Sequence, residues 1–231
     1  MNIFKVLANG DGRINEANVS AFLGFLLDPK ENHSFGDEFL KRFLDDFIQN
    51  GEENFKIEEY EYQIFYEQAF KEKEGSKNIV DIVIVCFKTD SSGKKESLMM
   101  DFISNTKKLK KIFLIENKIN SGSKNIEQLK NQYNSTVKEL GERIDKKKIE
   151  YIYVTPSKNY DKIFKEFQKI KPNSSHIYWS PKENEVEKNN IDIKSILEKI
   201  IEDENFGKIE AINDYTKHTI KSFIQFIANE F

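Results

Sequence analysis

Three charged residues at two apolar stretches of the chain have the types and spacing needed for metal-assisted chemistry. Asp81 interrupts the run NIVDIVIVCF (78–87), and Glu116 and Lys118 close the run KIFLIENKI (111–119). Buried charges require compensation, so two carboxylates facing each other predict a divalent cation or a shared proton between them. Mg²⁺ prefers oxygen ligands and keeps several waters. The pattern therefore predicts a Mg²⁺ site with a lysine beside it.

Such a group is suited to the hydrolysis of a phosphodiester. A cation held by Asp81 and Glu116 can polarise the phosphate and lower the pKa of water. The ammonium group of Lys118 can orient or deprotonate the attacking water and offset charge in the transition state. Because side chains alternate along a strand, Glu116 and Lys118 point to one face and Asn117 points away.

The alternative is purely structural: Glu116 and Lys118 pair at a strand end, and Asp81 caps an edge. For an isolated E-x-K in a chain with 32% charged residues, this alternative is the commoner outcome. Both acids follow strongly apolar, β-branched runs, however, where a structural acid is rarely placed. This context favours the metal site.

The elements that must position these residues alternate between helix and strand patterns. Helical spacing of apolar residues predicts helices at 15–29, 36–50, 124–140, 160–170, 193–204 and 208–231. Alternating or β-branched runs predict strands at 55–68, 78–87, 111–119, 148–156 and 175–180. Residues 89–109 are expected to form a loop and a short helix. This order predicts an α/β sandwich with a central mixed sheet.

Composition excludes several classes of protein. A formal charge of −3 and a pI near 5.8 argue against coating nucleic acid by bulk electrostatics. Cys86 is the only cysteine, which excludes an intrachain disulfide and a cysteine-rich zinc site. The three histidines lie far apart, which disfavours a histidine-rich metal site. No run approaches the roughly 20 apolar residues of a membrane helix, and no signal peptide is recognisable, so we expect a cytoplasmic protein without a membrane partner.

Lysines cluster beside two of the strand patterns, in NTKKLKKIF (105–113) and RIDKKKIEY (143–151). A basic strand edge could contact phosphates, and Lys110, Lys111 and Lys124 are the candidate nucleic-acid contacts. Taken alone, these runs are better explained as solvated strand ends in a lysine-rich sequence. They can support a site found elsewhere but cannot define one.

The segments IVDIVIV, FLIENKI and EQLKNQY resemble the core of the PD-(D/E)XK nuclease superfamily, and residues from about 14 to the last helix resemble its bacterial and phage members. The resemblance implies a restriction-endonuclease-like α/β/α sandwich with extra N- and C-terminal helices. It makes Asp81 and Glu116 metal ligands, with the Asn117 backbone carbonyl as a third, and Lys118 the catalytic lysine. It also makes Glu16 an accessory acid and Gln128 a polar residue facing the site.

The sequence departs from the family pattern at two positions. Val80 stands where the family name expects proline, and Tyr133 follows Gln128 by five positions rather than the four of the Q-x-x-x-Y nucleases. Glu16 also has an alternative role, because an acid after the cap residue Asn15 favours a helix N-terminus.

The resemblance implies a Mg²⁺-dependent nuclease, with Mn²⁺ as a substitute, acting on nucleic acid and on DNA in preference to RNA, in phage defence or mobile-element biology. The alternative is a nuclease-fold protein, catalytically silent or partner-activated, that binds nucleic acid or a protein. We expect one domain over 1–231, with a core at about 14–180 and a helical extension at about 191–231. A homodimer and an accessory protein remain open as partners.

Overall fold

The computed structural model describes residues 2–9, 14–51, 59–71, 77–88, 99–105, 109–119, 126–141, 144–156, 160–181 and 192–230. Its helices are α1 (Ile3–Ala8), α2 (Glu16–Leu27), α3 (Glu38–Gly51), α4 (Met99–Asn105), α5 (Ile126–Leu140), α6 (Asp161–Gln168), α7 (Ile193–Asn205) and α8 (Asp214–Glu230). Its strands are β1 (Glu61–Lys71), β2 (Lys77–Phe87), β3 (Leu109–Asn117), β4 (Ile149–Thr155) and β5 (Ser175–Tyr178).

The five strands form one sheet in the order β1-β2-β3-β4-β5. Pairing is antiparallel between β1, β2 and β3 and parallel between β3, β4 and β5. The parallel strands are joined by crossovers that contain α5 and α6, as parallel pairing requires. The predicted mixed sheet is thus confirmed.

Helices cover both faces of the sheet, which confirms the predicted α/β sandwich. One face, here the α2 face, carries α2, α3, α7 and α8 over a core rich in phenylalanine and isoleucine. The other, the α5 face, carries α4, α5 and α6 over a second core. Residues of β3 alternate between the two: Phe113 and Ile115 lie in the first core, Ile112 and Leu114 in the second.

Several helix ends follow from local capping. Asn15 and Asn18 form a capping box at the start of α2, which places Glu16 in the first turn. The last helix begins at Asp214 and not at 208 as the sequence pattern suggests, because the Asn213 side chain accepts a hydrogen bond from the Thr216 amide. The short helix α1 was not predicted; its Phe4 packs against the α2-face core. None of the described helices combines the length and apolar character needed to span a membrane.

The ladder between β1 and β2 is irregular where Glu67 lies opposite Asp81. Pairing runs regularly on both sides of this position, but Glu67 has a positive φ of 48° and is missing from the register. Val80 packs in the α5-face core and Ile82 in the α2-face core, although regular alternation would place both on one face. The side chains of β2 therefore change face at Asp81, an effect that irregular pairing can have on a strand.

Candidate metal centre

Three carboxylates from three separate elements meet at the end of β3. Glu16 comes from the first turn of α2, Asp81 from β2 and Glu116 from β3, and each contributes an oxygen within 4.8 Å of the others. Glu116 is buried, whereas Glu16 and Asp81 are half-buried. An all-oxygen donor set of this kind fits a hard divalent cation such as Mg²⁺ or Mn²⁺. These three residues and Lys118 are called the carboxylate cluster below.

Lys118 lies between two of the carboxylates. Its Nζ is 2.8 Å from Glu16 Oε1 and 2.7 Å from Glu116 Oε1, and its side chain is 5% exposed. Burial alone lowers the pKa of the Lys118 ammonium, but the charge of Glu116 and the hydrogen bonds with Glu116 and Glu16 outweigh it and raise the pKa above its ordinary value. The lysine is therefore positively charged at neutral pH.

The two strand carboxylates are hard to ionise together. Burial raises the pKa of Asp81 from 3.8 to about 6, although the Asn117 amide that donates to it opposes the shift. Burial and the charge of Asp81 raise the pKa of Glu116 from 4.5 to about 8, against the opposing effect of Lys118. A divalent cation would offset both causes, so the residues fit a metal ion in charge as well as in donor type.

Asn117 connects the cluster to the opposite face of the sheet. Its backbone amide donates to Asp81 Oδ2 at 2.7 Å. Its side chain points into the α2-face core, where Nδ2 donates to Ser20 Oγ at 3.0 Å and Oδ1 accepts from Trp179 Nε1 at 2.8 Å. Ser20 lies one helical turn after Glu16, so these bonds help to fix α2 over the cluster. A ligand role for the Asn117 carbonyl stays a prediction.

Two glutamines of α5 face Glu116. Gln128 Nε2 donates to Glu116 Oε1 at 3.0 Å. Gln132 donates to Glu116 Oε2 at 2.6 Å and is buried, although sequence reasoning did not identify it. The signal was its spacing, because a residue four positions after Gln128 lies on the same helix face. Tyr133, the neighbour considered instead, packs edge-on against Phe167.

Glu67 is a further acid that sequence reasoning missed. It is exposed, lies opposite Asp81 in the hairpin, and its charge adds to the factors that raise the pKa of Asp81. The position of Glu67 depends on the irregular pairing of β1 and β2, which cannot be predicted from the residue pattern.

The lysines predicted to contact nucleic acid lie away from this cluster or outside the described residues. Lys111, near the start of β3, is 7% exposed, and its Nζ is 3.0 Å from Glu150 Oε1. Lys171 Nζ is 3.0 Å from the other oxygen of Glu150. Lys111, Glu150 and Lys171 are called the lysine cluster below. Lys110 is half-buried in β3, and Lys124 lies outside the described part of the chain.

A family model described as the PD-(D/E)XK nuclease superfamily matches residues 1–225 of the 231. The matched range contains the whole sheet and the whole carboxylate cluster, and it confirms the resemblance found in the strand and α5 motifs. Searches of the curated proteins and of the solved structures found no match.

Proposed function

Since the chain belongs to the PD-(D/E)XK nuclease superfamily, we propose that it is a metal-dependent nuclease that hydrolyses phosphodiester bonds of DNA. The observation that supports this most directly is the meeting of Glu16, Asp81 and Glu116 around Lys118. A partly buried cluster with three carboxylates and one lysine is costly unless a cation joins it. Such unfavourable arrangements are typical of catalytic sites.

Asp81 and Glu116 are the proposed ligands of Mg²⁺, with Mn²⁺ as a substitute and the Asn117 backbone carbonyl as a third ligand. When bound, the cation supplies positive charge to the scissile phosphate and lowers the pKa of the attacking water. The Asn117 amide holds Asp81 Oδ2, and Gln128 holds Glu116 Oε1. Both carboxylates are thereby oriented before substrate arrives.

Lys118 is the proposed catalytic lysine. Because its pKa is raised, it acts as an ammonium group that orients water and stabilises charge developing on the phosphate, in preference to acting as a base. Glu16 accepts hydrogen bonds from Lys118 Nζ at 2.8 Å and from the Ile119 amide at 3.4 Å. The accessory role of Glu16 is therefore to hold this lysine and the chain that follows it.

The choice of DNA over RNA, a place in phage defence or mobile-element biology and a cytoplasmic location are parts of the same proposal and rest on the family resemblance. A second candidate is a partner-activated or catalytically silent protein of the same fold. The formal charge of −3 favours it, because a homodimer or an accessory protein could then supply the affinity for nucleic acid.

The test is cleavage of linear duplex, supercoiled and single-stranded DNA, and of RNA, in Mg²⁺ and in Mn²⁺. We expect EDTA to abolish cleavage, and Asp81→Ala and Lys118→Ala to lower its rate by at least about 100-fold. Lys138→Ala, which removes an exposed lysine of α5, is the matched control and should cleave like wild type.

The two candidates give different results in this assay. Absence of metal-dependent cleavage of every substrate by wild type would rule out the stand-alone nuclease and leave the partner-activated or silent protein. Cleavage that persists in Lys118→Ala would refute the proposed role of the lysine.

A further inference from the structure

A chain of buried hydrogen bonds runs from β4 to the carboxylate cluster. The hydroxyl of Tyr151 donates to Gln132 Oε1 at 2.9 Å. Gln132 Nε2 then donates to Glu116 Oε2 and to the Ile79 carbonyl, both at 2.6 Å. Tyr151, Gln132 and Glu116 are 0%, 2% and 1% exposed, so water does not compete for these bonds.

The tyrosine determines which way the glutamine amide faces. Because the Tyr151 hydroxyl donates to the amide oxygen, both N–H groups of Gln132 must face Glu116 and the Ile79 carbonyl. Ile79 lies two residues before Asp81 on β2. Gln132 therefore ties the carboxylate of Glu116 to the backbone of the strand that carries the other proposed ligand.

The two oxygens of Glu116 are used differently. Among the described contacts, Oε1 accepts from both Lys118 and Gln128, whereas Oε2 accepts from Gln132. Each carboxylate oxygen has two lone pairs, so Oε2 keeps one for a cation. Without Gln132, the carboxylate of Glu116 can rotate towards Lys118. Binding of a cation must then reverse this rotation, which weakens the affinity.

We propose that Gln132 and Tyr151 are positioning residues that set the affinity of the metal centre: Gln132 fixes Glu116 Oε2, and Tyr151 fixes Gln132. This inference rests on the metal centre of the proposed function but not on the reaction that the centre performs. Residues that orient a ligand in this way typically affect metal affinity by about 10–100-fold.

The experiment is titration of the purified, metal-free protein with Mn²⁺ by isothermal calorimetry. We expect Gln132→Leu to raise the Kd by about 10–100-fold and Tyr151→Phe to raise it by about 10-fold. Tyr62→Phe is the matched control, since it removes a buried strand tyrosine hydroxyl that bonds to Cys86, and its Kd should stay within about 2-fold of wild type.

The double variant tests whether Tyr151 affects the Kd for Mn²⁺ through its hydrogen bond to Gln132 or independently of Gln132. If Tyr151 acts through Gln132, adding Tyr151→Phe to Gln132→Leu leaves the Kd unchanged within about 2-fold. Thermal unfolding without metal checks that each variant is folded. If Gln132→Leu does not fold, Tyr151→Phe decides alone, because it removes a single oxygen atom.

Wild-type affinity in both single variants, or additive effects in the double variant, would overturn the inference, as would a wild-type protein that does not bind Mn²⁺. Failure of the proposed function looks different. A wild type that binds Mn²⁺ but cleaves no nucleic acid contradicts nuclease activity, while the comparison of Kd values still decides the role of Gln132 and Tyr151.

Discussion

The two ends of β3 both carry buried charges, but with opposite balance. The carboxylate cluster joins three carboxylates to one ammonium group, a formal charge of −2. The lysine cluster joins two ammonium groups to one carboxylate, a formal charge of +1, and each ammonium lies 3.0 Å from an oxygen of that carboxylate. Burial alone therefore does not distinguish a functional site from a structural one.

The difference lies in what each cluster still needs. At the lysine cluster, each ammonium group forms an ion pair with a separate oxygen of Glu150, so no carboxylate shares a cation with another. At the carboxylate cluster, the single ammonium group of Lys118 forms ion pairs with both Glu16 and Glu116. The pKa values of Asp81 and Glu116 are raised. An external cation is the simplest complement of the second arrangement.

Glu150→Gln should give the largest change in the free energy of unfolding, because it leaves two buried lysines without their shared carboxylate. Breaking a buried ion pair by removing one partner costs about 3–5 kcal/mol. Urea unfolding at neutral pH measures the loss. Glu166→Gln, an exposed glutamate of α6, should lie within about 0.5 kcal/mol of wild type. A wild-type unfolding free energy in Glu150→Gln would mean that the lysine cluster contributes no stability.

Mg²⁺ should stabilise the protein through the carboxylate cluster alone. At about 100 times its Kd, a ligand that binds only the folded state adds about 2.7 kcal/mol. We expect Lys171→Met, at the other end of β3, to keep this gain, and Asp81→Ala to lose most of it. The gain is the difference between the free energies of unfolding measured in Mg²⁺ and in EDTA. A gain that survives in Asp81→Ala would place the cation elsewhere.

Asp81→Asn should change the free energy of unfolding by less than Glu150→Gln does, and in the opposite direction: it should stabilise the protein. The folded pKa of Asp81, about 6, lies above its ordinary 3.8, so ionisation disfavours the folded state and stability falls as pH rises through about 6. Asparagine cannot ionise. In EDTA, the variant should be about 1–2 kcal/mol more stable than wild type near pH 8 and equal to it near pH 3.

Denaturant unfolding at several pH values tests this sign. A variant that is destabilised near pH 8, or whose gain does not depend on pH, would contradict the claim that Asp81 is ionised at a cost in the metal-free protein.

The sequence predicts those parts of the site that follow from one-dimensional patterns. The apolar runs ended or interrupted by Asp81, Glu116 and Lys118 predict adjacent strands, and the structure places the three together. Strand alternation likewise separates Asn117 from its neighbours. These features depend only on residues close in the chain and on the period of a strand.

Other features depend on contacts between distant segments. Lys111 belongs to a basic run that resembles a solvated strand end. In the structure it is buried instead, and its Nζ donates to Glu150, 39 positions away. The partners of Gln132 come from β2, β3 and β4 and cannot be identified from helix phase alone. The change of face in β2 at Asp81 lies opposite the irregular position of β1.

The wide sequence separation within the carboxylate cluster has a consequence for how activity arises during folding. Glu16 and Lys118, whose side chains bond, are 102 positions apart, and Asp81 bonds to the amide of Asn117 across 36. Closing such long loops has an entropic cost before the contacts repay it, so these pairings form late. We therefore expect a nascent or partly unfolded chain to lack the complete carboxylate cluster, so the proposed cleavage of nucleic acid would require α2 to be docked on the sheet.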